Sequence, residues 1–148
     1  STATSRYSGL HPIVTEIHPG MYLFNDANLI EVTPDVTKQD CATTIIATVI
    51  SKPTEDRAIV DAGSKTFSLD LDCMPVPKHR EDVRYYNASE EHGWIDTSET
   101  QTLVKVGDQI EFIVPHVCTS VNLHDQMVAV RDGRVERVWS IEARGKVQ

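Results

Sequence analysis

Short apolar runs punctuated by turn residues, with no long amphipathic stretch, set the pattern of this chain. Cys41–Ser51 (CATTIIATVIS) is dense in Thr, Ile and Val, whose branched side chains suit a pleated surface. Pro53 stops that run, Arg57–Asp61 resumes it and Gly63 ends it. Val83–Asn87, with Tyr85 and Tyr86, and Gln109–Val114 (QIEFIV) read in the same strand-like way, the latter after a turn at Gly107-Asp108. A short run at Met21–Phe24 follows Pro19-Gly20 and adds to the β signal. Met127–Arg131 and Arg134–Trp139 flank Asp132-Gly133, the strongest short-range hairpin signal a sequence offers. Leu71–Asp82, with two prolines and mixed charge, reads as an irregular connection. No window of about 12 residues carries a 3.6-residue apolar period with caps. The pattern predicts an all-β domain, a barrel or sandwich, with helix confined to short turns.

Length and charge narrow the function classes. The 148 residues support one domain with a core of its own. With 14 basic and 22 acidic residues the formal charge is −8, a balance that repels a phosphate backbone, so nucleic-acid binding is not expected. No apolar run approaches the roughly 18 residues of a membrane span, and the polar start, Ser1 to Arg6, has no signal-peptide core. The cysteines, Cys41, Cys73 and Cys118, are odd in number and irregularly spaced, which favours a reducing cytoplasm over a disulfide scaffold. The chain lacks an initiator Met and is expected to be a processed protein or a piece of a longer one.

Three polar clusters could carry chemistry. In Pro115–Asp125 (PHVCTSVNLHD) an extended chain places His116, Cys118, Ser120, Asn122 and His124 on one face and the apolar residues on the other. His116 and Cys118 then lie about 7 Å apart along the strand, close enough to share one cation through imidazole and thiolate. His124, roughly 26 Å further along a straight strand, joins them only if the chain turns back. The plainer reading, two partly buried polar residues in a sheet, stands ahead on spacing alone, because His-x-Cys is a weak pattern. In Ser89-Glu90-Glu91-His92-Gly93 a carboxylate beside an imidazole could orient a metal ligand or move a proton, against a solvated turn before Trp94. Asp61-Ala62-Gly63-Ser64-Lys65 ends like a phosphate loop but lacks its first glycine, so nucleotide binding there is rejected.

Taken in order, VTEIHPGMYLFND (Val14–Asp26), CATTIIATVIS, RAIVDAGSK, SEEHGW, VGDQIEFIVPHVC, VNLHD and DGRVERVW…ARG resemble the C-terminal domain of the D-serine dehydratase and D-threonine aldolase-like family. These are metal-activated pyridoxal-phosphate enzymes of the alanine-racemase-like fold type. The resemblance implies a β-rich domain at 14–148, with 1–13 left from its connection to a preceding (β/α)₈ barrel that is absent here. It places the metal ligands, zinc or another divalent ion, on His116 and Cys118, with Glu91 and His92 near the metal. It suggests Ser1 and Thr2 as the end of the barrel's phosphate-binding loop. Asp61 falls in a family motif without an assigned role, and none of the six lysines is a candidate to carry the cofactor. A complete enzyme would eliminate water from a β-hydroxy D-amino acid, giving a keto acid and ammonia, or cleave it as an aldolase; Cys118 leans to the first. Pyridoxal phosphate is implied only with the barrel, so the isolated chain is expected to be inactive and to self-associate through the surface a barrel would cover. The alternatives are a non-catalytic, stand-alone β domain that binds a metal or a partner protein, and a purely structural domain in which the His-Cys pair stays empty.

Overall fold

The computed structural model describes residues 2–100 and 102–146. Among them eight strands and four short helices follow one another, with single 3₁₀ turns at Met21–Leu23 and Lys38–Asp40. The helices are α1 (Thr2–Ser8), α2 (Ala27–Val32), α3 (Ser64–Phe67) and α4 (Val117–Asn122). The strands are β1 (Thr44–Ser51), β2 (Arg57–Val60), β3 (Val76–Pro77), β4 (Arg84–Ala88), β5 (Gly93–Asp96), β6 (Gln109–Ile113), β7 (Gln126–Arg131) and β8 (Arg134–Ser140). The predominantly β expectation holds, with no helix longer than α1.

Six of the strands form one antiparallel sheet in the order β3-β6-β1-β2-β5-β4. Its outer strands β3 and β4 approach each other, so the sheet curls into a nearly closed barrel. Alternation does the work of sorting faces: Ala47 and Val49 of β1, Ala58 and Val60 of β2, Ile95 of β5 and Ile110 and Phe112 of β6 all point into one core. Tyr85 of β4, Phe112 of β6 and Phe67 of α3 meet edge to face at its centre, with ring centroids 5.6 to 6.0 Å apart, the geometry the aromatic quadrupole favours. The edge strand β3 tolerates Pro77 because one side of it pairs with nothing.

The strands at 44–51, 57–60, 84–88 and 109–113 fall where the apolar runs predicted them. The Asp132-Gly133 hairpin is also present: Arg131 pairs with Arg134, and φ is +50° and +72° at the two loop residues, both positive as a type I′ turn requires. Among the described residues this hairpin pairs with no other strand. Two local expectations fail. Met21–Leu23 is a 3₁₀ turn, not a strand, because the Phe24 and Asn25 amides bond back to the Met21 carbonyl. Pro115–Asp125 is not extended either; its centre is α4.

Candidate functional site

The helix α4 exists because of a residue far away in sequence. VCTSVN has β-branched and polar residues that are poor helix formers, and six residues are too few for an isolated helix. Asp26, fully buried, caps α2 by accepting from the Leu29 amide at 2.9 Å through Oδ1. Its other oxygen accepts from the Val117 amide, also at 2.9 Å, so one carboxylate serves the first turns of two helices. The carbonyls of Val114 and Pro115 accept in turn from the Ala27 and Asn28 amides. The chain entering α4 is thereby pinned on both sides.

The neighbouring α3 holds α4 from below. Ser120, buried, donates its hydroxyl to the Phe67 carbonyl at 2.7 Å, and His124 Nε2 lies 3.0 Å from the Thr66 carbonyl. The other end of α3 rests on the turn at 89–92: the Ser64 and Lys65 amides donate to the carbonyls of Ser89 and Glu90. Gly63 is required there, since a Cβ would sit 2.5 Å from the Glu90 oxygen and 2.6 Å from the His92 nitrogen. Tyr85 closes the arrangement by donating to the Ala62 carbonyl at 2.8 Å. Two motifs scattered over the sequence, DAGSK and SEEHG, and the segment Ser120–His124 that follows PHVC thus meet at one four-residue helix.

His116 sits at the N-cap of α4 and Cys118 in its first turn. The strand argument that put both on one face therefore does not apply. His116 is half-buried, with Nδ1 2.8 Å from Oδ2 of Asp70. The other oxygen of Asp70 accepts from Thr119 Oγ1 at 2.8 Å and from Ser68 Oγ at 3.0 Å. Burial works against the charge on Asp70, but the hydrogen bonds from His116, Thr119 and Ser68 outweigh it and hold the carboxyl below its ordinary value. Cys118 is exposed and free. Partial desolvation, then the charges of Asp26 and of Asp70, push its thiol above the ordinary value.

Glu91 forms an ion pair with Lys65 at 2.6 Å on an exposed surface, and the hydrogen bond to that ammonium lowers its carboxyl. Among the described residues neither Glu91 nor His92 bonds to His116 or Cys118, and no three His, Cys, Asp or Glu side chains cluster as a ready-made metal cage. Asp61 accepts from the Thr48 amide at 2.6 Å, which ties β1 to the turn after β2. The Thr2 hydroxyl accepts from the Met21 amide at 3.0 Å; Ser1 lies outside the described residues. Asp26 and Asp70 were not singled out by the sequence. Asp26 closes the VTEIHPGMYLFND motif, and its cap signal, Asp before ANLI, was available; nothing local marked Asp70.

Residues 42–130 match the family described as "putative serine dehydratase domain". Over 140 residues the chain is 34% identical to 3-hydroxy-D-aspartate aldolase of Paracoccus denitrificans, covering 90% of this chain and 35% of that enzyme. The crystal structure of D-threonine aldolase from Filomicrobium marinum superposes with a TM-score of 0.87 at 34% identity, over 99% of this chain and 41% of that one. An uncharacterized protein of Mycobacterium tuberculosis is 32% identical over 117 residues, 72% of this chain and 86% of that protein. The chain therefore spans little more than a third of the aldolases but most of the mycobacterial relative. No helix among the described residues is long and apolar enough to cross a membrane.

Proposed function

The chain belongs to the serine dehydratase domain family, and from that premise we propose that it is the metal-binding β domain of a pyridoxal-phosphate-dependent lyase acting on β-hydroxy D-amino acids. The observation that carries this reading is the state of the His116–Cys118 pair. Among the described residues the imidazole is engaged at Nδ1 and not at Nε2, which leaves Nε2 to offer its nitrogen to a metal, and two residues on stands an exposed thiol that forms no disulfide. Partial burial, then the charges of Asp26 and Asp70, disfavours a bare thiolate at Cys118; a divalent cation would reverse that balance, and a nitrogen–sulfur donor pair suits zinc better than magnesium or calcium. A metal held by two protein ligands keeps open positions, and when bound it supplies Lewis acidity to a substrate hydroxyl. His116 and Cys118 would hold it; Glu91 and His92, on the turn that α3 connects to α4, are the residues we place around it.

We infer that this chain does not hold pyridoxal phosphate by itself. Lys38, Lys52, Lys65 and Lys78 are each tied to a carboxylate or a carbonyl, and the Thr2 hydroxyl is committed to a backbone amide. We assign the cofactor to a separate (β/α)₈ barrel domain and expect the isolated chain to show no lyase turnover. Exposed apolar residues, Leu10 and Ile13 near the start and Val128, Val130, Val135 and Val138 on the hairpin, support contact with such a barrel and homo-oligomers of the isolated chain. The three free thiols fit a cytoplasmic setting.

Zinc titration of the metal-free chain against a competing chelator tests the reading. The parent chain takes up one equivalent, whereas Cys118→Ala takes up none and keeps its circular dichroism, because the metal is not what holds the barrel together. Equal zinc binding by Cys118→Ala refutes the site. A second reading, a stand-alone β domain without a catalytic barrel, is favoured by the mycobacterial relative, which this chain covers almost from end to end. An upstream reading frame that encodes no barrel would decide for it.

A further inference from the structure

Asp70 makes an unusual set of contacts for a loop carboxylate. On α4 it touches two side chains and no backbone amide: the His116 ring through Oδ2 and the Thr119 hydroxyl through Oδ1. Capping of α4 falls to Asp26, which accepts from the Val117 amide, so Asp70 is not needed for that purpose. Ser68 holds it from its own side at 3.0 Å, and rotating the carboxylate breaks all three bonds. An ionised carboxylate can only accept. At 2.8 Å the Nδ1 of His116 must therefore carry the shared proton, and in the neutral ring the lone pair is left on Nε2.

We propose that Asp70 is a positioning residue that locks His116 in the Nδ1–H tautomer and so presents Nε2 as the nitrogen ligand of the metal. The proposal rests on the assignment of His116 and Cys118 as metal ligands, and it adds the residue that prepares one of them. A carboxylate behind a ligating imidazole both fixes its orientation and raises its basicity. Thr119 and Ser68 act one step further out, keeping the carboxylate from turning away.

The test combines a tautomer measurement in the absence of metal with a zinc titration. Long-range proton–nitrogen NMR spectra of the metal-free chain at about pH 8, where an ordinary imidazole is neutral, report which ring nitrogen of His116 is protonated. The parent shows Nδ1–H, and Asp70→Ala moves the population toward Nε2–H while zinc affinity falls roughly 10- to 100-fold. Asp70→Asn keeps an accepting oxygen without the charge; it retains the Nδ1–H tautomer and loses about threefold or more in affinity, a partial rescue relative to Ala. Should the Ala variant not fold, the Asn variant alone decides by that loss. An unchanged tautomer in Asp70→Ala, or zinc affinity within about twofold of the parent in either variant, overturns the proposal. If the parent itself binds no zinc, the metal assignment fails and the proposal with it, while the tautomer spectra still report separately whether Asp70 holds the ring.

Discussion

Replacing Asp26 with Ala removes one side chain and strips two helices of their first-turn acceptor. The carboxylate is fully buried, and its two oxygens receive the Leu29 and Val117 amides at 2.9 Å each. Both donors belong to buried residues, so water does not replace the lost acceptor. A buried donor left unsatisfied costs about 1–3 kcal/mol, and two of them cost about 2–6 kcal/mol, less what is regained by no longer burying a carboxylate. We expect a net loss of about 3 kcal/mol, well above the roughly 1 kcal/mol of a single exposed N-cap. Asp26→Asn retains one accepting oxygen and should fall between parent and Ala. Equilibrium urea unfolding measures the difference as a shift of midpoint at constant slope. A loss of no more than about 1 kcal/mol in Asp26→Ala would mean that the bond to Val117 contributes nothing and that α4 is held by its own sequence.

Gly63→Ala forces a methyl group against the carbonyls of the 89–92 turn; because backbone atoms must yield, we expect a destabilisation of about 2 kcal/mol or more, read by thermal or urea unfolding. Asp96 has its carboxyl lowered to about 2 by the Ser98 backbone and hydroxyl and by Arg84. Its contribution is therefore complete above the ordinary value of 3.8 and is lost as pH falls toward 2. Asp96→Asn should be the less stable protein near neutrality, with the gap to the parent closing through that acid window; a gap independent of pH refutes the assignment. Sedimentation velocity should show the isolated chain associating as concentration rises, and a monomer at every concentration would contradict an uncovered contact surface.

Periodicity revealed the parts of the fold that are locally encoded. The β1 run, the Tyr85 strand, QIEFIV and the Asp-Gly hairpin each contain their own signal, either alternation or an obligatory turn. The strand β5 carries no such signal, because Gly93-Trp94-Ile95-Asp96 is four residues long and begins on the glycine that Tyr85 packs over. Only its pairing with β2 and β4 makes it a strand. The segment after Pro115 reads as a strand and folds as a helix for the same reason in reverse. Val and Thr favour an extended chain, and what bends the segment into α4 is a carboxylate 91 residues earlier and a carbonyl 53 residues earlier. His116 and Cys118 are singled out by the resemblance, since His-x-Cys by itself is a weak pattern. Asp70, 46 residues from His116, becomes visible only once the chain has folded.

The β7–β8 hairpin has a thermodynamic life of its own. A two-stranded ribbon is marginal in water, and here the paired Val128–Val138 and Val130–Val135 side chains lie at least half exposed along one face. Its amides open by local fraying at a cost far below that of unfolding the barrel, so they exchange with deuterium first while the six-stranded sheet stays protected. Covering the valines raises that local cost without touching a single hairpin hydrogen bond. Exchange rates on β7 and β8 thus distinguish a bare domain from one whose hairpin valines are covered.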